Sequence, residues 1–220
     1  MVAIGILGGT FDPLHFGHLQ IAEAAVKEYA LDKIIFVPSA IPPHKDSAAI
    51  AKFDHRFTMV ELGIENLTSY EVSDIESGTD SPSYTYHTLQ KLTLMTGGEA
   101  ELYFIIGCDA FLEIQGWFQW EQILLSTNFI ITKRAGIASE PVEALLRANK
   151  YQRHSTKPFE IWHKGDGTAT VNFLNQIPQP ISSSAIRSAI RQGGRWQHTV
   201  PRSVVDYIEK HQIYHPSSDS

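Results

Sequence analysis

Short continuous apolar runs and amphipathic stretches alternate along the first part of the chain. Val2–Leu7 and Lys33–Val37 are continuous apolar runs, which are typical of buried strands. Between them, apolar residues recur at helical spacing at Leu19, Ala22 and Val26, which predicts an amphipathic helix. A strand, a helix and a strand within about forty residues predict a βαβ unit, and therefore a parallel sheet with a right-handed crossover.

The same alternation continues through the rest of the chain. Strands are predicted at 71–75, 101–107, 128–132 and 168–174, and a shorter one at 159–162 inside an irregular polar segment, 153–167. Helices are predicted at 54–67, 83–97, 141–149 and 201–211. We expect Asp54 to be the N-cap of the first of these helices, and Ser83 or Thr85 that of the second. The pattern predicts an α/β fold with a doubly wound, Rossmann-like parallel sheet.

The length and composition of the chain indicate how many domains it forms. The chain has 220 residues, of which 43% are hydrophobic and 19% are charged. A chain of this length can bury about 70% of the surface that it exposes when unfolded. We therefore expect one domain over residues 1–215, with a small C-terminal helical part at 181–215 and a flexible tail at 216–220.

The net charge and the cysteine content limit which binding partners and which cellular compartment we expect. The net charge is -6 and no basic tract is present, so nucleic acid is not an expected partner. No apolar stretch approaches the ~20 residues that span a bilayer, and the run ending at Leu7 has no basic segment before it, unlike a signal peptide. A single cysteine, Cys108, excludes an internal disulfide and suits a reducing compartment. We therefore expect a cytoplasmic protein that does not bind membranes.

A glycine-rich turn after the first strand provides the clearest candidate chemistry. Gly8 and Gly9 lack a Cβ, so their backbone N–H groups can approach a phosphate closely. His15 and His18 follow, and a helix beginning near Gly17 directs its N-terminal N–H groups toward the same place. Together these features predict a polyphosphate site. Taken singly, two glycines also fit a tight turn, and a His-x-x-His pair also fits half of a zinc site.

A second candidate phosphate site lies near the C-terminus, in the segment Ile181–Arg187. The hydroxyl groups of Ser182 and Ser183 and the free N–H groups of a helix start suit phosphate oxygens, and Arg187 adds a charged fork. Serines also cap helices without binding any ligand, so this segment alone allows either role.

Several residues between these two segments each allow two interpretations. Lys45, after a proline-rich loop, and Arg56, in the first turn of a predicted helix, indicate either a bound anion or a solvated cation. Asp109 is either a ligand-binding carboxylate at the carboxyl end of a strand or a helix N-cap. For Trp120, three residues after Trp117, we favour a position in the core.

The two phosphate-site segments resemble the signatures of a known superfamily. Gly8-Gly9-Thr10-Phe11-Asp12-Pro13, followed by His15-x-Gly17-His18, resembles the first signature of the nucleotidylyltransferases. Ile181–Arg187 resembles the second signature, with Ser184 in place of the usual threonine. The resemblance extends over nearly the whole chain.

The segments between the signatures are most similar to the bacterial nicotinate-nucleotide adenylyltransferases. Pro42-Pro43-His44-Lys45 resembles the family's segment that helps bind the mononucleotide phosphate. Gly107-Cys108-Asp109 with Trp117 resembles the segment that contacts the pyridine nucleotide. Ser83–Leu89 also matches, but His87 stands where the family usually has aspartate, so no role is transferred to that position.

The resemblance implies adenylyl transfer from ATP to nicotinate mononucleotide, which gives deamido-NAD and pyrophosphate. Residue by residue, it implies catalytic roles for His15, His18, Lys45 and Arg187. It implies that ATP contacts Gly8, Gly9, Thr10, Phe11, His18, Ser182, Ser183 and Arg187. It implies that nicotinate mononucleotide contacts Lys45, Tyr84, Thr85, Asp109 and Trp117.

The metal, the acceptor and the oligomeric state are less constrained by the sequence. We expect Mg²⁺ to arrive bound to ATP, because no cage of carboxylates is evident and no residue is assigned as a metal ligand. Two alternatives stay open: an adenylyltransferase that uses nicotinamide mononucleotide or pantetheine phosphate, and a catalytically silent nucleotide-binding module. The formation of a homo-oligomer is open as well.

Overall fold

Strands and helices alternate along the chain in a computed structural model that describes residues 1–42, 50–78, 82–133, 139–156, 159–165 and 169–216. The strands are β1 Val2–Gly9, β2 Lys33–Pro38, β3 Tyr70–Val72, β4 Ala100–Gly107, β5 Asn128–Thr132, β6 Tyr151–Thr156, β7 Phe159–Lys164 and β8 Thr170–Phe173. The α-helices are α1 Phe16–Tyr29, α2 Phe53–Ile64, α3 Thr85–Met95, α4 Cys108–Leu112, α5 Trp120–Ser126, α6 Glu140–Ala148, α7 Ser183–Arg191 and α8 Arg202–Lys210.

All eight strands form one sheet in the order β3-β2-β1-β4-β5-β8-β7-β6. The first six strands in this order are parallel, and β7 and β6 extend the sheet in antiparallel pairing. In the register, Gly8 of β1 is opposite Val37 of β2, and Leu7 of β1 is opposite Ile105 of β4. The carboxyl ends of the three central strands therefore meet at one edge, where parallel α/β sheets bind ligands.

Two apolar layers cover the two faces of the sheet. Successive residues of β2 alternate between them, with Ile35 in one layer and Phe36 in the other, because side chains of a strand point to opposite faces. One layer takes residues from α1 and α2, and the other takes residues from α3, α4, α5 and α6. The predicted doubly wound α/β fold is confirmed.

A third apolar cluster joins the two C-terminal helices to α2. Met59 of α2, Ile186 of α7 and Val204 of α8 are buried together in it. This packing places the start of α7 beside the loop that follows β1. Within the described ranges, no helix combines the length and the apolar character needed to cross a membrane.

The segment 153–167 was predicted to be irregular apart from a short strand at 159–162. That strand is confirmed as part of β7, but residues 153–156 belong to β6, so the rest of the prediction is wrong for them. The segment contributes to the hairpin of β6 and β7, in which Arg153 and Glu160 form an ion pair at 2.7 Å. The edge strand β6 buries Tyr151 but exposes Gln152, Arg153 and His154. A strand that is mostly exposed has no continuous apolar run, so the hydrophobic pattern does not predict it.

The predicted N-caps also differ from those in the structure. Asp54 lies in the first turn of α2, and the N-cap is Lys52. The N-cap of α3 is Tyr84, which makes no side-chain capping bond, rather than Ser83 or Thr85. Asp109 lies one residue inside α4, whose N-cap is Gly107. None of these three N-cap residues makes a side-chain capping hydrogen bond, so capping preference alone does not locate the first residues of the helices.

Candidate active site

A cavity of about 390 Å³ opens at the carboxyl edge of the central strands. Its walls come from the end of β1, the ends of β2 and β4, the start of α3 and the loop before α5. It brings together seven of the residues proposed from the sequence: Gly8, Gly9, Thr10, His18, Tyr84, Thr85 and Trp117. Residues predicted to bind two different nucleotides therefore share one cavity.

The glycine turn is shaped by the aromatic residue that follows it. Phe11 has a positive φ of 48°, which returns its ring beneath the turn, where it is 1% exposed. A Cβ on Gly9 would lie 3.1 Å from that ring, so only glycine fits this approach without displacement. Phe11 was predicted to contact ATP, but its side chain packs against His18 and Phe36 in the core and does not line the cavity.

The two motif histidines are stacked at the start of α1. Their ring centroids are 3.7 Å apart, and the planes meet at 18°. His18 lines the cavity, and His15 is buried. The backbone N–H of His15 donates a hydrogen bond to Nδ1 of His18 at 3.3 Å. Because Nδ1 accepts, the proton of the neutral His18 ring is on Nε2, which makes Nε2 a hydrogen-bond donor.

The second signature is bound to the first by hydrogen bonds. Ser182 is the N-cap of α7, and its hydroxyl oxygen accepts from the N–H of Ala185. The Ser183 hydroxyl donates to the carbonyl of Pro13 at 3.1 Å. Nη1 of Arg187 donates to the carbonyl of Asp12 at 2.8 Å and lies 3.4 Å from its carboxylate. Ser182, Ser183 and Arg187 thus lie next to the opening loop but outside the cavity lining.

Most of the residues predicted to bind the acceptor also line the cavity. Tyr84 and Thr85 are at the start of α3, where the first N–H groups of a helix have no partner within the helix. Trp117 is half-buried, and its ring is 6.3 Å from that of Phe104. Asp109 lies beside the cavity, next to the lining residues Gly107 and Ala110. Lys45 lies outside the described residues.

Several residues of the cavity wall were missed by the sequence analysis. Phe118 lines the cavity, and its ring packs at 5.0 Å from Tyr84 and 5.3 Å from His87. The ring of His87 also contacts the rings of Tyr84 and Tyr86. Glu76 also lines the cavity, and its carboxylate accepts a 2.6 Å hydrogen bond from the hydroxyl of Thr88. A sequence signal for these residues is weak, because they follow turns rather than strand ends.

A buried polar cluster beneath the opening loop was missed as well. The Asp12 carboxylate accepts from the hydroxyl of Tyr214 at 2.7 Å and from the N–H of Ala51 at 3.1 Å. Burial and the adjacent Asp12 raise the pKa of Tyr214, so that the phenol stays protonated and donates. Burial lowers the pKa of Arg56, and the charge of Asp12 opposes that shift.

Arg56 has a role that neither of its two earlier interpretations anticipated. Its side chain is 2% exposed and is therefore not solvated. Instead of an anion, its guanidinium binds three backbone carbonyls, those of Thr10, Ala40 and Ala51. Among the described residues, no group of three or more histidine, cysteine, aspartate or glutamate side chains is arranged to hold a metal ion.

Comparison with known proteins agrees with this geometry. Residues 6–189 match the family model described as "Cytidylyltransferase-like". A protein of Geobacter metallireducens named "Probable nicotinate-nucleotide adenylyltransferase" is 38% identical over 213 residues, covering 96% of this chain and 97% of that protein. A protein of Carboxydothermus hydrogenoformans with the same name is 36% identical over 211 residues, with 96% and 97% covered.

A solved structure shares the fold at lower sequence identity. Nicotinic acid mononucleotide adenylyltransferase of Plasmodium falciparum, complexed with NaAD, superposes with a TM-score of 0.74 at 21% identity. The match covers 97% of this chain and 98% of that one. Relatives match this chain along nearly its full length, and its two signatures are hydrogen-bonded to each other beside the cavity. The chain therefore belongs to the cytidylyltransferase-like family and, within it, to the nicotinate-nucleotide adenylyltransferases.

Proposed function

We propose that this protein transfers the adenylyl group of ATP to nicotinate mononucleotide, with deamido-NAD and pyrophosphate as products. The observation that carries the proposal is the single cavity that joins Gly8, Gly9 and His18 to Tyr84, Thr85 and Trp117. A phosphate-binding turn and aromatic residues in the lining of one cavity suit two nucleotides whose phosphates must meet. The names of the related proteins support the same substrates.

The reaction requires little covalent chemistry from the protein. A phosphate oxygen of the mononucleotide attacks the α-phosphorus of ATP, and the bond from that phosphorus to the bridging oxygen of pyrophosphate breaks. The attacking oxygen is already ionised at neutral pH, so no strong base is needed. Alignment of the two nucleotides and stabilisation of the developing charge supply the rate enhancement.

His18 is placed to stabilise that developing charge. Its Nδ1 accepts the N–H of His15, which leaves Nε2 as a donor on a ring that lines the cavity. The first turn of α1 adds its positive dipole end at the same place. Arg187 adds a cation beside Asp12, at the outer side of the opening loop, where the leaving pyrophosphate would exit. ATP enters as its Mg²⁺ complex, so the metal is part of the substrate.

The acceptor side favours a carboxylate over a carboxamide. An indole face such as that of Trp117 suits a flat, cationic pyridinium ring, but the acid and the amide share that ring. The acid carries a carboxylate where the amide carries a carboxamide. The first N–H groups of α3, near Thr85, can only donate hydrogen bonds. The NH₂ of an amide would face another donor there, whereas a carboxylate accepts from both sides.

The decisive experiment measures pyrophosphate release with MgATP and one acceptor at a time. We expect nicotinate mononucleotide to exceed nicotinamide mononucleotide by at least about tenfold in kcat/KM, with no turnover of pantetheine phosphate. Trp117→Ala should weaken both pyridine nucleotides by ~0.5–2 kcal/mol and largely keep the preference. Equal use of the amide would contradict the donor-only site, and no release with any acceptor would favour a silent module.

The compartment follows from the same proposal. A reaction that consumes ATP and a chain with a single cysteine, Cys108, which is buried, both suit the reducing cytoplasm.

A further inference from the structure

One buried side chain binds three backbone carbonyl groups, one of which belongs to a cavity-lining residue. Nη1 of Arg56 donates to the carbonyl of Thr10 at 2.8 Å, Nη2 to that of Ala40 at 3.3 Å, and Nε to that of Ala51 at 2.9 Å. All three belong to loops rather than to the sheet or to helices. A planar guanidinium directs its N–H groups at fixed angles, so the three carbonyls keep fixed relative positions.

The first of these carbonyls belongs to the ATP side of the cavity. Thr10 follows Gly9 directly and lines the cavity with it. The position of its carbonyl therefore sets the position of the glycine turn relative to the guanidinium of Arg56.

The second carbonyl leads to the acceptor side. Ala40 follows the cavity-lining Ser39, and the next residue, Ile41, exchanges two hydrogen bonds with Ser83. The N–H of Ile41 donates to the hydroxyl oxygen of Ser83 at 3.1 Å, and the N–H of Ser83 donates to the carbonyl of Ile41 at 3.0 Å. Ser83 immediately precedes Tyr84. Hydrogen bonds, together with the peptide bond between Ala40 and Ile41, thus connect Thr10 through Arg56 to the wall assigned to the acceptor.

A carboxylate holds the other side of the same segment. Oε2 of Glu76 accepts from the N–H of Ala40 at 3.4 Å, and Oε1 accepts from the hydroxyl of Thr88 in α3. Ala40 is therefore bound at its N–H by Glu76 and at its carbonyl by Arg56. The two side chains together fix this segment between the opening loop and α3.

We infer that Arg56 is a positioning residue that sets the distance and angle between the ATP-binding turn and the acceptor-binding wall, so that the two nucleotides meet in line. This inference rests on the proposed function. The positive charge of Arg56 also interacts with the buried carboxylate of Asp12. The three hydrogen bonds to carbonyl groups, however, require the planar guanidinium group. A lysine would keep the charge and lose the planar fork that binds three separated carbonyls.

The test compares ligands that occupy one half of the site with a ligand that spans both. Binding of AMP, of nicotinate mononucleotide and of deamido-NAD is measured by calorimetry for the wild type and for Arg56→Lys. A spanning ligand needs both halves in register, whereas each mononucleotide adapts to its own half. We expect at most about threefold weaker binding of either mononucleotide, but a loss for deamido-NAD about tenfold greater than the product of those two losses. We also expect kcat to fall about 10- to 100-fold.

A matched control and a second variant keep the inference falsifiable. Arg202→Lys makes the same change at an exposed arginine that pairs with Asp206 on its own helix, and it should leave all three affinities unchanged. Should Arg56→Lys fail to fold, Glu76→Leu removes the acceptor that binds the N–H of Ala40. It should likewise weaken deamido-NAD by more than the product of the two mononucleotide losses.

The possible failures are distinguishable. A deamido-NAD loss no greater than the combined mononucleotide losses, in whichever of the two variants is folded, would overturn the positioning role and leave the proposed function intact. A wild type that binds AMP but not deamido-NAD would overturn the proposed function, and the inference with it.

Discussion

The stacked imidazole rings of His15 and His18 lie in different environments, one in the protein interior and one at the cavity. His15 is buried, and its backbone N–H binds the ring of His18, which lines the cavity. This contact selects the tautomer of His18 that carries its proton on Nε2. The pair therefore presents one hydrogen-bond donor, on a ring that lines the cavity and is held by its neighbour.

At this scale, the first prediction concerns His18. His18→Ala should lower kcat by about 100-fold or more, with a smaller effect on the binding of ATP, because the donor acts on charge that grows in the transition state. Steady-state kinetics with varied ATP and nicotinate mononucleotide separate the two effects. A variant whose kcat stays near that of the wild type would exclude this role.

The second prediction separates two roles of Arg187. If it binds the leaving pyrophosphate, Arg187→Ala should weaken ATP more than AMP, by ~1.5–3 kcal/mol for a charged hydrogen bond. If it acts only by holding the carbonyl of Asp12, both ligands should lose equally. Isothermal titration of both nucleotides decides between these roles. Arg191→Ala, an exposed change on the same helix, serves as the control.

At the scale of elements, the junction of β4 and α4 determines where Asp109 lies. Gly107 has a φ of -69°, so its backbone does not require glycine, but a Cβ there would come within 2.5 Å of Oδ1 of Asp109. Gly107→Ala should therefore displace the Asp109 carboxylate without straining the chain. We expect KM for nicotinate mononucleotide to rise about tenfold, as for loss of a hydrogen bond to a charged group.

The control for this junction is an open glycine elsewhere. A Cβ added to Gly165 would meet no atom of the described residues within 4 Å, so Gly165→Ala should change neither KM nor the melting temperature. An unchanged acceptor KM in Gly107→Ala, with KM for ATP raised instead, would show that Asp109 serves the other nucleotide.

The elements that the sequence predicted well are those with one clear physical signal. Asn128–Thr132 is apolar throughout apart from its ends and buried on both faces, and its predicted bounds match β5. The edge strand β6 lacks that signal because Gln152, Arg153 and His154 face solvent. Arg56 looked like any cation in a first helical turn, because its carbonyl partners lie up to 46 residues away in the chain. Local pattern does not encode such distant partners.

At the scale of the whole molecule, Tyr214 joins the end of the described chain to its first loop. Its hydroxyl donates to the buried carboxylate of Asp12 across 202 residues of sequence. Tyr214→Phe should lower the free energy of unfolding by ~1.5–3 kcal/mol, as expected for a hydrogen bond to a charged group. Urea denaturation measures this loss directly.

A second tyrosine provides the comparison. Tyr207 bonds Nδ1 of His55 at 3.0 Å, so Tyr207→Phe removes a bond to a group that is not a carboxylate and should cost only ~0.5–1.5 kcal/mol. Equal losses of unfolding free energy in the two variants would indicate that the charge of the Asp12 carboxylate does not strengthen its hydrogen bond with Tyr214.

The contacts of Asp12 also have a consequence for the order in which the enzyme becomes active during its synthesis. Asp12 leaves the ribosome 175 residues before Arg187 and 202 residues before Tyr214, the two residues that hold it. A nascent chain can fold most of the sheet before these two residues are translated. Its ATP loop is nevertheless unfinished, so ATP turnover should begin only when translation of the C-terminal helices is complete.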